Sequence, residues 1–301
     1  MHGLTDYITD YAWTDIVTTW YVLVDEAYHA IVTQHGRLRQ RGPAPEFSDS
    51  EVLTIALIAD TFFHGNEELC LSFIRQYHRD LFPRLVDDTR FNRRRRALVG
   101  LTESIRRVYT AWLIASDDPV RIVDSAPIPV CTYMRSRSCA TVAGADYCGV
   151  MVSRRAKLFG FRLHLTTTTR QVIDQWMLAP ASHHDGTLPP ALLEDTQELM
   201  VIGDNAFHNP TVMNWLQQHR DIALVALPRR RGAQPWPIAV RQQVNKVRRT
   251  IESALSVMCT VFHLEHPGSR SLAGLLSRIT TRLLAYTLSF IVWTFLPTLK
   301  N

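Results

Sequence analysis

Two short apolar runs, each ending in an aspartate, constrain this chain more than any other feature. "VRIVDS" places Val120, Ile122 and Val123 before Asp124, and "LMVIGDNAF" places Val201 and Ile202 before Asp204. Short β-branched runs bounded by polar residues predict buried strands. A buried carboxylate is expensive to ionise unless something pairs with it. In open α/β sheets, functional groups gather at the carboxyl ends of strands. Two acids meeting there repel each other and call for a cation. Oxygen-only ligation points to Mg²⁺ or Mn²⁺ rather than zinc.

A third carboxylate is expected from "VNKVRRTIESALSVMC". Val240, Val244, Val247, Ile251, Leu255 and Met258 recur at helical spacing, an apolar stripe able to lie on a sheet. Glu252 adjoins that stripe, and Arg248 sits one turn before it on the same face. The order Asp124, Asp204, Glu252 then reads as an acidic triad.

The surrounding pattern predicts an α/β architecture preceded by a helical region. Residues 1–116 read as four or five helices. Ser48 and Glu51 are spaced as a capping box at the head of "SDSEVLTIALIADTFF". "DDTRFNRRRRALVGLTESIRRVYTAWLIA" reads as one amphipathic run. From residue 117 to 301 the chain alternates. "LFGFRLHLTTT" reads as a half-buried strand with Arg162 and His164 on its polar side. "QVIDQWMLAP" is its partner across a turn, "TLPPALLEDTQE" a short helix, "NPTVMNWLQQH" a helix and "IALVALP" a strand; the rest is helical. This is the pattern of a mixed sheet flanked by helices. "LLAYTLSFIVWTFLP", residues 283–297, falls short of the usual ~20-residue membrane span and reads as a buried helix. The opening residues lack a signal-peptide pattern.

Charge is concentrated rather than spread. The net charge is +5 and the pI about 9.1. Between Leu71 and Arg107, ten Arg face four acids; between Arg229 and Arg249, seven Lys or Arg face none. Two basic segments favour a nucleic-acid partner. Arg93, Arg94, Arg95 and Arg96 are candidate phosphate contacts, as are Arg229, Arg230, Arg231, Arg248 and Arg249, with Trp236 available for stacking. The five cysteines, Cys70, Cys131, Cys139, Cys148 and Cys259, form no CxxC pair, which predicts free thiols in a reducing compartment.

The blocks "SDSEVLTIAL", "LFPRLVDDTRFNRRRRAL", "VDSAPIPVC", "FGFRLHL", "APASHHD", "GDNAF" and "RRTIES" occur here in the order found in DDE transposases of bacterial insertion sequences. They are most similar to the insertion-sequence-982 family. The resemblance covers most of the chain. It implies an RNase H-like catalytic domain (residues 117–301) behind an all-helical, DNA-binding domain (residues 1–116). Asp124, Asp204 and Glu252 are then the metal-binding and catalytic triad, using two Mg²⁺ or Mn²⁺ ions. Arg248 becomes the arginine of the family's Y-x2-R-x3-E-x6-K signature. Asn245 stands at the tyrosine position of that signature and Cys259 at the lysine position, and "GDNAF" lacks the lysine and glycine expected after its aspartate. The implied partners are the transposon's terminal inverted repeats and target DNA, bound by a homo-oligomer in the cytoplasm or on the nucleoid, with no membrane. His183, His184 and Asp185 of "SHHD" are auxiliary acid–base or metal candidates. The competing readings are a non-catalytic, transposase-derived DNA-binding protein or repressor, and a hydrolase built on His183, His184 and Asp185.

Overall fold

The computed structural model describes residues 13–36, 43, 45–114, 118–151, 155–226 and 236–295. In chain order the elements begin with five helices: α1 (Trp13–His35), α2 (Asp49–Phe62), α3 (Glu67–Tyr77), α4 (Asp88–Ala97) and α5 (Val99–Leu113). Then come strands β1 (Val120–Pro129), β2 (Cys148–Met151), β3 (Ala156–Thr167) and β4 (Ile173–Pro180). The short helix α6 (Pro189–Leu192), strand β5 (Met200–Gly203), helix α7 (Pro210–Arg220) and strand β6 (Ala223–Ala226) follow. The long helices α8 (Ile238–Thr260) and α9 (Leu272–Phe295) close the series. These fall into two compact units: Met1–Tyr109 together with Thr260–Asn301, and Thr110–Cys259. The last helix thus belongs with the first helices rather than with the sheet.

The helical unit is organised around α2. Every residue from Val52 to Thr61 is buried, so this helix is enclosed on all sides. It starts where the sequence places it: the Ser48 side chain accepts from the Glu51 N–H, and Glu51 accepts in return from the Ser48 N–H. Helices α1, α3, α4 and α9 pack against it. The run from residue 88 is two helices, not one, with α4 ending at its C-cap Leu98.

Enclosing α2 buries Asp60, and an isolated carboxylate there would be prohibitive. Arg95 of α4 pairs with it, and Arg282 of α9 approaches to 3.6 Å. Arg95 also bonds Glu67 at 2.8 Å, and Arg278 reaches Glu67 at 3.2 Å and the Gly65 carbonyl at 2.6 Å. The knot depends on Gly65. Its φ is +79°, and a β-carbon there would come within 2.5 Å of the Arg278 guanidinium.

Helix α9 is long and apolar enough, by length and composition, to cross a membrane. It begins well before the apolar run that stands out in the sequence, and 83% of its most apolar window is buried within the protein.

The second unit carries the sheet, in the order β2–β3–β1–β5–β6, with β4 also paired to β3. Strand β1 is antiparallel to β3 and parallel to β5, and β5 is parallel to β6. Strand β2, which sequence periodicity does not mark, pairs with the first part of β3, and β4 with the rest. Strand β3 therefore has neighbours on both sides, and burial of residues on both of its faces corrects the expectation of a half-buried strand. His164 is fully buried, and so are Thr166 and Thr167. One face of the sheet packs Val123, Val201, Leu224 and Ala226 against Leu192, Leu193, Phe207 and Leu216.

Because Asp60 is the buried counter-charge of Arg95 and stands 3.6 Å from Arg282, Asp60→Ala should cost about 3–5 kcal/mol, the penalty of stranding a buried charge. Chemical denaturation monitored by helical circular dichroism checks this.

Candidate active site

Strand register positions the two aspartates. In the parallel pair, Val120 stands beside Met200, Arg121 beside Val201 and Ile122 beside Ile202. Carried two residues further, the same register puts Asp124 level with Asp204. Side chains alternate between faces along a strand, so Asp124 is on the face of Ile122, opposite Val123, while Asp204 follows directly on the end of β5. Strand β1 continues past Asp124, whereas β5 stops at Gly203 and the chain turns into a short 3₁₀ helix, Asn205–Phe207. Gly203 sits so close to that turn that a β-carbon would lie 3.0 Å from Val123 and 3.1 Å from Phe207. Asp204 caps the 3₁₀ helix by accepting from the Ala206 N–H at 2.8 Å, and Asp124 accepts from the Ser125 N–H at 2.8 Å.

Burial, followed by the charges of Asp204 and Asp185, raises the Asp124 carboxyl from 3.8 to about 6; the Ser125 hydrogen bond and the charge of Arg248 oppose the rise. Asp185 is also pushed up by burial and by Asp204, while Arg162 and His184 pull it down. Asp124, Asp204, Asp185 and Arg248 therefore sense one another electrostatically, although they come from β1, the end of β5, the turn after β4, and α8.

The sequence candidates divide as follows. Glu252 is on α8 and bonds Arg248 at 2.8 Å, with its side chain about half exposed. Only part of the expected α8 stripe is buried: Ile251 and Met258 are, with Ala254 beside them, while Val240 is exposed. Asp185 opens a 3₁₀ turn (Asp185–Thr187) whose Gly186 N–H bonds the His184 ring at 3.2 Å. His164, one strand away, points Nε2 at Asp185 Oδ1 from 3.8 Å, too far for a hydrogen bond. Burial, then Arg162 and His183, lowers His164 to about 4, so its ring is neutral and the contact is not an ion pair. Both His164 ring nitrogens and Asp185 Oδ1 are buried without a hydrogen-bond partner. Sequence pattern alone gave no sign of this pairing, because His164 stands on a strand that reads as half exposed.

In the helical unit, Arg94 bonds the Phe47 carbonyl and, at 2.5 Å, Asp49, while Arg95 is consumed by Asp60 and Glu67. Arg93 and Arg96 face solvent, as does Arg249 on α8. Arg229, Arg230 and Arg231 lie outside the described residues, and Trp236 is partly buried just before α8.

Among the described residues, no group of three or more His, Cys, Asp or Glu side chains is arranged to hold a metal ion. The donor chemistry nonetheless fits a hard divalent cation. The groups are carboxylates, they raise one another's affinity for positive charge, and Asp185 has an oxygen with no partner.

A family model described as "Transposase DDE domain" matches residues 115–288, more than half of the chain. The protein belongs to the DDE transposase family. No curated protein matches it. DDE transposases act on DNA and use divalent metal ions, and the matched segment contains the whole sheet together with Asp124, Asp185, Asp204 and Glu252.

The raised Asp124 carboxyl sets a pH dependence for the metal-free DDE transposase. Below about pH 4 Asp124 is protonated in the folded and unfolded chains alike and contributes nothing. As pH rises from about 4 to 6, the unfolded chain ionises first, and stability is lost. Asp124→Asn keeps the Ser125 hydrogen bond and removes that loss. With chelator present, the variant should be more stable than wild type by about 3 kcal/mol at pH 7.5 and equal to it near pH 4. Thermal melts across pH check this.

Proposed function

We propose that this transposase binds the ends of an insertion sequence, cuts the DNA there and joins the freed ends to a target, using Asp124, Asp204 and Glu252. The observation that carries the reading is Asp124 on β1 beside Asp204 at the end of the neighbouring parallel strand, with the charges of Asp204 and Arg248 both felt at Asp124. The strand order, with one long antiparallel neighbour to β1 and two parallel strands on its other side, supports an RNase H-like catalytic domain. The sequence blocks support kinship with the insertion-sequence-982 family.

Asp124 and Asp204 would hold the divalent ions, with Glu252 reaching in from α8. When bound, a pair of such ions supplies nucleophile activation and charge stabilisation at the leaving oxygen of an in-line phosphoryl displacement. The chain's own groups do the rest. Asp204 is fixed by its cap to Ala206 and Asp124 by Ser125, so neither carboxylate must be ordered when DNA arrives. Arg248 offsets part of the negative charge beside Asp124 and orients Glu252. Water attacks at the transposon end, and the freed 3′-hydroxyl attacks target DNA. A Ser, Tyr or Cys nucleophile has no part in this sequence of steps. Joining two ends implies at least a dimer on DNA.

A second assignment within the site rests on the unpartnered Asp185 oxygen. Asp185, with the neutral His164 ring 3.8 Å from its oxygen, is a further carboxylate of the metal set.

Asp204→Asn and Glu252→Gln should each lower cleavage of labelled end DNA in Mg²⁺ by orders of magnitude while leaving metal-free binding to that DNA intact. Wild-type protein that binds but never cuts, in Mg²⁺ or Mn²⁺, would instead establish a DNA-binding repressor. Mn²⁺ titration calorimetry on Asp185→Asn beside Glu252→Gln decides which acid completes the metal set, since neutralising a ligand costs far more affinity than neutralising a neighbouring charge.

A further inference from the structure

The helical unit contains a cleft of about 380 Å³ that the catalytic reading does not use. Its walls come from α4 and from the turn leading into α9. Four arginines line it, Arg95, Arg96, Arg270 and Arg278, against one acid, Glu67. The N-terminus of α9 opens onto the same space. Ser271 caps that helix by taking the Gly274 N–H at 3.2 Å, and the first turn contributes the positive end of a 24-residue helix.

Two of the arginines are already spent. Arg278 is held by Gly65 and Glu67, and Arg95 by Asp60 and Glu67. Even so, the Arg95 Nε, in a side chain only 2% exposed, has no hydrogen-bond partner. Arg96 and Arg270 are exposed and have no carboxylate partner among the described residues. An orphaned buried donor, a helix N-terminus and two uncommitted guanidinium groups converging on one cleft have the makings of an anion site.

A second, more open groove along α4, lined by Asp88, Thr89, Asn92, Arg93 and Arg96, shares Asn92 and Arg96 with the cleft, and its one acid, Asp88, is paired with Arg75. Arg93 and Arg96 are three residues apart on one helix and so face the same way. Positive groups therefore run from Arg93 through Arg96 to Arg270. A linear track of this kind suits a chain of phosphates better than a single one.

We propose that this cleft seats consecutive phosphodiester groups of a DNA backbone, with Arg96 and Arg270 as the principal contacts. The site rests on the reading of the protein as a DNA-acting transposase but lies in the helical unit, separate from the acidic cluster. It reads backbone charge and not base sequence.

The test is binding of Arg96→Ala/Arg270→Ala to duplex DNA without metal, followed by fluorescence anisotropy across a salt series. Arg79→Ala, an exposed arginine elsewhere in the unit, is the comparison. The double variant should lose about tenfold in affinity, and the slope of log affinity against log salt should flatten by about 2, one per lost phosphate contact. Arg79→Ala should leave the slope unchanged. Neither substituted arginine supports the buried ion pairs, so thermal melting should match wild type. Wild-type binding with an unaltered slope in the double variant overturns the cleft while leaving the catalytic reading standing. Failure of wild type to bind any duplex removes both. Inorganic phosphate that displaces DNA at an equal phosphate concentration would mark a small-anion site and likewise overturns the proposal.

Discussion

The parallel register of β1 against β5 is the constraint on which the rest of the second unit depends. One pairing, Ile122 beside Ile202, decides that Asp124 stands level with the end of β5, where Asp204 follows. A slip of a single residue would send one aspartate into the apolar core formed by Val123 and Phe207, where a charge has no partner. The core on one face therefore enforces the chemistry on the other. Gly203, with no room for a β-carbon, lets β5 end where the register requires.

The two units bury charge in opposite ways. In the helical unit, Asp60 and Glu67 are matched by Arg95, Arg278 and Arg282, and the network ties α2, α3, α4 and α9 together. In the sheet unit, Asp124, Asp185 and Asp204 are under-matched, with Arg248 the cation that bears on Asp124. Balanced charge there specifies packing. Unbalanced charge is a standing demand for a ligand, and perturbed carboxyls of this kind gather at functional sites.

Much of this was legible in the sequence, for physical reasons. The β-branched runs before Asp124 and Asp204 are short, apolar and bounded by polar residues, so strand, burial and strand end could all be read. The Ser48–Glu51 capping box is a local hydrogen-bond pattern and needs no tertiary information. What escaped was set by neighbours distant in sequence. His164 alternates with apolar residues yet is covered by Phe207 and Asp185, both distant in sequence. Arg94 and Arg95 look like half of a phosphate-gripping run, and only the fold reveals Asp49, Asp60 and Glu67 waiting for them. The α8 stripe is periodic throughout, but only Ile251 and Met258 of its members meet a surface that buries them. Arg270 stands alone in sequence and gains meaning only where α4 and the start of α9 converge.

The helical unit is assembled from both ends of the described chain, with the sheet unit inserted between them. This has a consequence for synthesis. Helix α2 is buried along its length, Asp60 included, yet one of the surfaces that covers it, α9, leaves the ribosome after every described strand of the sheet. Residues 120–226 hold all six strands and can pair as they emerge, while the first helices wait with Asp60 lacking Arg282 and with apolar surface open to water. A product cut short before α9 would hold the three aspartates but no closed helical unit. A fragment without α9 leaves that apolar surface, and Asp60 without Arg282, open to water.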